Sequence, residues 1–178
     1  MNYYYLVASL PMLTLGREPQ LEGAAFRALC AEHLTAGDQA VLDELLESGG
    51  AGMANPFGCA WHERETRLRN AIVQARATRL GLDPARHLRP ETGFDAHTRK
   101  AVDDAFARPS PAEREMDLDR FRWRVLEELA GFDMFALPAV LAYAIKLRLV
   151  ERWSRMDAAR GRSRVDDFVS QQTVTASL

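Results

Sequence analysis

Residues 121–156 read FRWRVLEELAGFDMFALPAVLAYAIKLRLVERWSRM, and this stretch determines the fold class. Its centre, residues 134–145, carries no charged side chain. At 3.6 residues per turn, the apolar side chains fall on two opposite sides of a helix. One side carries Val140, Tyr143, Ala144, Leu147 and Val150, and the other carries Leu141, Ile145 and Leu149. A helix that is apolar nearly all round must be covered by protein or by lipid.

The same stretch does not suit a membrane span, which needs about 20 apolar residues in a row. Pro138 interrupts the apolar run, and Lys146 and Arg148 close it. We therefore predict an all-α fold, a single multi-helical domain of about six to seven helices around this buried central helix. The domain spans residues 1–178, and a proline-rich break separates two sub-lobes, residues 1–107 and 111–170.

The composition is that of an ordinary globular protein. Of the 178 residues, 47% are hydrophobic and 27% are charged, which is enough apolar material for a core. The net charge of −2 provides no overall positive field, so we expect no nucleic-acid partner. Two cysteines are too few for a disulfide-stapled secreted domain, and no Lys or Arg precedes the apolar N-terminal run as in a signal peptide. These features predict a reducing, cytoplasmic location.

Capping residues divide the rest of the chain into further helices. Thr35 followed by Asp38 resembles a capping box, Asp95 can cap a later helix, and Pro111 can open the one after it. The remaining helices are predicted at residues 21–34, at residues 58–80 and, near the end of the chain, from Ser163. Residues 3–10 are too few for periodicity to distinguish a strand from a short buried helix.

No catalytic signature occurs in the chain. Phosphate-binding and dinucleotide-binding glycine loops, G-x-S-x-G and H-E-x-x-H are all missing from the sequence, so we predict a non-enzymatic protein without a cofactor. An enzyme would need a pocket where His62, Glu65 and Arg69 converge. Glu65 and Arg69 also have the spacing of a helical ion pair, and a solvated flank is the simpler interpretation. A partly buried network that fixes the helix against its neighbours is the alternative.

Two C-x-x-H pairs are the candidates for a metal site. Cys30 and His33 form one pair, Cys59 and His62 form the other, and together they could supply a tetrahedral zinc site. Both pairs lie in predicted amphipathic helices, where a cysteine also serves as a small core residue. We therefore predict no metal, and a helical metal-binding or regulatory protein is the alternative function.

The end of the central helix, expected to continue to Arg160, carries a concentration of positive charge. Seven basic residues face two acidic ones between residues 146 and 164. Cations near a helix C-terminus are favourable in themselves, and an acidic protein partner or the acidic helix at residues 35–48 could also use them. The residues predicted to form an interaction surface are Arg148, Arg152, Trp153, Arg155 and Arg160.

Three groups of sequence strings carry a resemblance to a known family. The first is NYYYLVASLP at residues 2–11, and the second is LRN at residues 68–70 with RA at residues 76–77. The third comprises RW at 122–123, LEEL at 126–129, FD at 132–133, LAY at 141–143, KL at 146–147 and ERW at 151–153. These strings resemble a small uncharacterised bacterial family encoded beside V-type (A/V-type) ATPase genes. The helical pattern is also similar to the helical funnel of V-type ATPases, their C subunit (the d subunit in eukaryotes), which joins the central rotor shaft to the membrane ring.

The resemblance implies a non-enzymatic role in coupling or assembling the central stalk of a rotary ATPase. It implies rotor or stalk subunits as partners, and attachment to the inner face of the membrane only through those partners. The funnel has a larger, three-part helical body, so the chain would correspond to part of it. The family has no active site whose residues could be transferred to this sequence.

Overall fold

The computed structural model describes residues 2–91, 93 and 95–156, and these residues form seven α-helices and no strand. The helices are α1 (Tyr4–Ser9), α2 (Gly23–His33), α3 (Ala36–Ser48), α4 (Pro56–Leu80), α5 (Ala96–Phe106), α6 (Pro111–Ala130) and α7 (Leu137–Arg155). A single 3-10 turn lies at Ala85–His87. The predicted all-α domain of six to seven helices is confirmed. None of these seven helices is long and apolar enough to cross a membrane.

The predicted caps begin the helices where expected. The Thr35 hydroxyl accepts a hydrogen bond from the Asp38 backbone N–H at 3.2 Å, which satisfies a free donor in the first turn of α3. The Asp95 carboxylate accepts from the first-turn N–H groups of α5 in the same way. Helix α4 begins two residues earlier than predicted, at Pro56, because the Asn55 side chain caps it.

Residues 3–10, which the sequence left open between strand and helix, contain the short helix α1. Its Leu6 is buried, and the Tyr3 backbone N–H donates a hydrogen bond to the Phe135 carbonyl at 2.7 Å. The Tyr3 hydroxyl donates to the Asp38 carboxylate. The N-terminal segment is therefore fixed both to α3 and to the turn that precedes α7.

Helix α7 is the buried central helix that the sequence predicts. Its apolar residues on both sides are buried, namely Val140, Leu141, Ala144, Ile145, Leu147, Leu149 and Val150. The Tyr143 hydroxyl also points inward and donates to the Pro11 carbonyl at 2.9 Å. The helix ends at Arg155, because the backbone of Met156 has left the helical conformation. The expected extension to Arg160 and the helix predicted from Ser163 lie outside the described residues.

The start of α7 differs from the predicted apolar centre, which begins at residue 134. Residues 131–136 instead form the turn between α6 and α7, and Met134 is exposed. Gly131 makes this turn possible because its φ of +72° lies in the region that other residues rarely adopt. An apolar residue that was assigned to the core thus lies on the surface.

The helices pack in two groups that meet at α7. Helices α4, α5 and α6 pack on one another, while α1 packs on α2 and α2 packs on α3. Helix α7 packs against α6 and also against α2 and α3. The contact between α5 and α6 crosses the proline-rich break at residues 108–111, so that break is a turn within the packed domain.

A carboxylate from α7 caps the start of α2. Helix α2 has no cap from its own N-terminal residues, and the Gly23 N–H donates to Glu151 Oε1 at 2.7 Å. A Cβ atom at position 23 would lie 3.1 Å from that oxygen, so glycine permits the close approach. The two residues are 128 positions apart, and local sequence patterns give no indication of this contact.

The connector between α4 and α5 is held onto α4 by Asn70. This side chain is buried, with 2% of its surface exposed. Its amide nitrogen donates to the Arg89 carbonyl at 2.8 Å, and its oxygen accepts from the Arg89 N–H at 3.0 Å. A buried amide with both groups paired is stable, so residues 81–89 follow a defined path.

Substitution of a core residue of α7 should test its central position. We expect Leu147→Ala to lower the free energy of unfolding by about 3 kcal/mol, because it removes buried methyl groups and leaves a cavity. Urea denaturation measures this change. Leu82→Ala removes the same atoms from a residue that is 63% exposed and should change stability by less than about 0.5 kcal/mol. Equal effects of the two variants would contradict a core role for α7.

Candidate interaction surface

Two of the predicted interaction residues, Arg152 and Trp153, bind a carboxylate within the chain. Arg152 forms an ion pair with Asp119 on α6, and Trp153 Nε1 donates to Asp119 Oδ2 at 2.7 Å. The Asp119 side chain is completely buried. Because Asp119 belongs to α6, Arg152 and Trp153 are part of the contact between α6 and α7, where they stabilise the fold.

The same carboxylate is linked to α4 through a second arginine. Arg122 Nη1 donates to Asp119 at 2.9 Å, and Arg122 Nε and Nη2 donate to the two oxygens of Glu65 at 2.9 and 3.1 Å. Arg69 also donates to Glu65, at 2.8 Å. We refer to Glu65, Arg122, Asp119, Arg152 and Trp153 as the Asp119 network. It joins α4, α6 and α7.

Glu65 is therefore not part of the solvated flank that the simpler interpretation predicted. Its side chain is 12% exposed, and that of Arg122 is 13% exposed. Burial alone would raise the pKa of Glu65, but hydrogen bonds and charge from Arg122 and Arg69 outweigh it and lower this pKa. The partly buried network was the correct alternative. The apolar pattern of one helix predicts which of its faces is buried. It does not predict which arginine of another helix contacts Glu65.

The remaining predicted interaction residues do not form one surface. Arg148 is exposed on α7, and Arg155 is exposed and lies 3.5 Å from the Glu151 carboxylate. Arg160 lies outside the described residues. The basic series is thus divided between a partly buried network, to which Arg152 belongs, and separate surface positions.

The zinc candidates are not brought together. Cys30 is completely buried in the core, and the Cys59 thiol donates to the Met53 carbonyl at 2.8 Å. Burial, followed by the charge of Asp43, raises the pKa of Cys30 to about 12, which disfavours the thiolate that a metal binds. Within residues 2–91, 93 and 95–156, no three His, Cys, Asp or Glu side chains are grouped so that they could hold a metal.

The three residues of the enzyme alternative do not converge either. His62 lines a shallow groove of about 410 Å³ with Arg67, Arg89 and Glu91. Glu65 and Arg69 are not part of that groove, and Glu65 binds Arg122 instead. A catalytic arrangement of His62, Glu65 and Arg69 is thus not formed.

A cluster of exposed and half-buried apolar side chains lies at the end of the molecule where α6 turns into α7. We call Tyr4, Tyr5, Phe132, Met134 and Phe135 the aromatic end patch. Tyr5 is 81% exposed, and Phe132 is fully exposed. The Tyr4 ring lies 4.8 Å from the Phe135 ring and 5.7 Å from the Tyr5 ring, centroid to centroid. Exposed aromatic groups of this kind are typical of protein–protein contact sites.

The surroundings of this patch are acidic. Residues 2–16 contain no charged side chain, so the helix that contributes the tyrosines adds no charge of its own. Asp133 lies within the turn and accepts a hydrogen bond from the Phe135 N–H at 3.0 Å. Asp38 is held beside the patch by Tyr3, while Glu128 at the end of α6 pairs with Arg64 of α4 at 3.9 Å and is not part of this rim. The patch therefore combines an aromatic centre with a rim of carboxylates.

Removing the charge at the centre of the Asp119 network should destabilise the protein. We expect Asp119→Asn to lower the free energy of unfolding by about 3 kcal/mol, since two arginines lose their buried counter-charge. Urea denaturation followed by circular dichroism measures it. Asp103→Asn makes the same chemical change at an exposed position on α5 and serves as the control. Equal stabilities of the two variants would rule out a structural role for the network.

The contribution of Glu65 to stability should depend on pH. Because its folded-state pKa lies below the usual 4.5, its contribution is full above that value and is lost as pH falls through the folded-state pKa. The difference in unfolding free energy between the wild type and Glu65→Gln should thus shrink in acid. Urea denaturation at several pH values measures this difference. Glu113→Gln, at an exposed site, should give a small difference at every pH, and a Glu65→Gln difference independent of pH would contradict the prediction.

Comparison with known protein families gives a match to part of the chain. Residues 99–172 match the model of a family described as a protein of unknown function, DUF2764. The matched segment includes most of α5, all of α6 and α7, and four of the five residues of the Asp119 network. No curated protein and no solved structure matches the chain. The chain is therefore similar, over a segment that includes α6 and α7, to a family that has no described function.

Proposed function

We propose that this protein is a non-enzymatic helical adaptor of a V-type (A/V-type) ATPase that couples or assembles the central stalk, as the helical funnel does. The observation that carries the proposal is the aromatic end patch on an otherwise well-packed helical domain. The resemblance adds to it, because Tyr4 and Tyr5 lie in the first matching string and Phe132 lies in the third. In this proposal the protein works by surface complementarity, at the cytoplasmic face of the membrane, and its membrane contact passes through its partners.

The rim of the patch indicates the chemistry of the partner. Asp38 and Asp133 favour an apolar partner surface flanked by lysines or arginines. A second copy of this chain would bring the same carboxylates opposite each other, which is unfavourable. The anionic headgroups of a cytoplasmic membrane leaflet would be repelled for the same reason. A rotor or stalk subunit with a basic rim is the partner that we propose.

Affinity purification from the native host tests this function. A tagged chain, extracted in mild detergent, should capture rotor or stalk subunits that mass spectrometry identifies. We expect Tyr5→Glu/Phe132→Glu to reduce the capture at least about tenfold, because aromatic anchors dominate such interfaces. Both residues are exposed, so the melting temperature should stay near that of the wild type.

Met156→Glu is the control, since it places a glutamate on an exposed apolar residue at the end of α7. It should retain the captured subunits. If ATPase subunits are repeatedly absent from the wild-type sample, the proposed function is wrong. If they are captured equally by the Tyr5→Glu/Phe132→Glu variant, the aromatic end patch is not the binding surface.

A further inference from the structure

A second surface with an apolar centre lies at the C-terminal end of α4. The last two turns of this helix and the start of the connector enclose an open groove of about 620 Å³. Val73, Leu80 and Leu82 contribute apolar side chains to it. Leu80 is 70% exposed and Leu82 is 63% exposed. Two neighbouring leucines so far in solvent mark a contact site more strongly than scattered single ones.

The backbone that forms this groove is well defined. Gly81 ends α4 with a φ of +64°, and the Leu82 N–H donates to the Ala77 carbonyl at 3.0 Å, which is a common way to close a helix. The Asp83 carboxylate accepts from the Ala85 N–H at 3.0 Å and so stabilises the following 3-10 turn. With Asn70 holding the far end of the connector, the two leucines are presented on a fixed frame.

The rim of the groove carries a net positive charge. Arg76 and Arg86 line the groove, and in the described ranges neither guanidinium forms a hydrogen bond or an ion pair. Neighbouring arginines differ in this respect, since Arg79 donates to the Phe106 carbonyl and Arg114 donates to the Arg108 carbonyl. Asp83 also lines the groove and keeps its negative charge, since its hydrogen bond comes from a neutral backbone N–H, so the two arginines leave the groove with a net positive charge. The groove therefore has two guanidinium groups free for an external anion.

We propose that this groove binds an acidic amphipathic peptide segment of a protein partner. Apolar side chains of the segment would cover Leu80 and Leu82, and its carboxylates would pair with Arg76 and Arg86. Arginine suits this role because its planar guanidinium donates two parallel hydrogen bonds to one carboxylate. A single-stranded nucleic acid would need several aromatic rings on which successive bases stack, and among the residues that line the groove His87 alone carries one.

The position of the groove makes the protein bivalent. Arg76 and Leu80 also line a neighbouring groove with Pro111 and Arg114, which places them beside the N-terminal end of α6. The aromatic end patch follows the C-terminal end of the same helix. The 20 residues of α6 span about 30 Å. Two surfaces with rims of opposite charge thus lie at opposite ends of the domain, and this inference does not depend on the identity of the partner at the aromatic end patch.

Fluorescence anisotropy with the purified full chain tests the groove. The probe is a labelled helical peptide of about four turns, with leucines on one face and glutamates on the other. A matched peptide carries glutamines in place of the glutamates. We expect the wild type to bind the glutamate peptide at least about tenfold more tightly at about 0.1 M salt.

The variants assign this binding to the groove. Arg76→Gln/Arg86→Gln should abolish the preference for the glutamate peptide, and Leu80→Ala/Leu82→Ala should weaken binding of both peptides. Arg17→Gln/Arg155→Gln removes the same charge at exposed positions elsewhere and should retain the preference. The Tyr5→Glu/Phe132→Glu variant should also retain it, so failure of the groove and failure of the ATPase assignment are distinguishable.

Three results would overturn the proposal. The first is that the wild type binds neither peptide, and the second is that it binds both with equal affinity. The third is that anionic phosphatidylserine vesicles, and not the glutamate peptide, bind in a manner that requires Arg76 and Arg86. In that last case the groove would be a lipid contact.

Discussion

The carboxylate of Asp119 is the group on which the arrangement of the helices depends. It is completely buried, and a buried charge is costly unless it is paired and hydrogen-bonded. Arg122, Arg152 and Trp153 supply that pairing from two helices, and Arg122 passes the connection to Glu65 on a third. Apolar packing permits small rotations of one helix against another. A charged network with fixed donor geometry does not, so it specifies how α4, α6 and α7 meet.

The network and the two surfaces use different parts of the same helices. Ionic groups occupy the middle of α6, while its two ends adjoin the apolar groove and the aromatic end patch. An adaptor needs such a division, because the two contact sites must keep a fixed separation while their side chains stay exposed. The ionic groups of the Asp119 network thus pair with one another inside the domain. Apolar side chains at its two ends remain exposed to partners.

The helical core could be predicted from the sequence because its signals are local. Periodicity assigned α7, and Thr35, Asp95 and Pro111 marked helix ends through contacts within a few residues. The site was harder to predict, since its determinants are distant in sequence. The sequence pattern predicted Arg152 and Trp153 to be surface residues. They instead contact Asp119, which lies 33 and 34 residues earlier in the chain, and no local pattern indicates such a distant contact. Met134 was predicted to be a core residue because its sequence neighbours are apolar, although these residues form a turn.

The cap that Glu151 provides for Gly23 has a consequence for how the protein is made. During synthesis α2 and α3 leave the ribosome before α7, which packs against both of them and completes the first turn of α2. Contacts between residues so far apart in sequence close long loops and form late in folding. The sides of α2 and α3 that pack on α7 therefore stay uncovered until α7 has been translated. For that interval the nascent chain exposes apolar surface, which favours aggregation, whatever the stability of the finished domain.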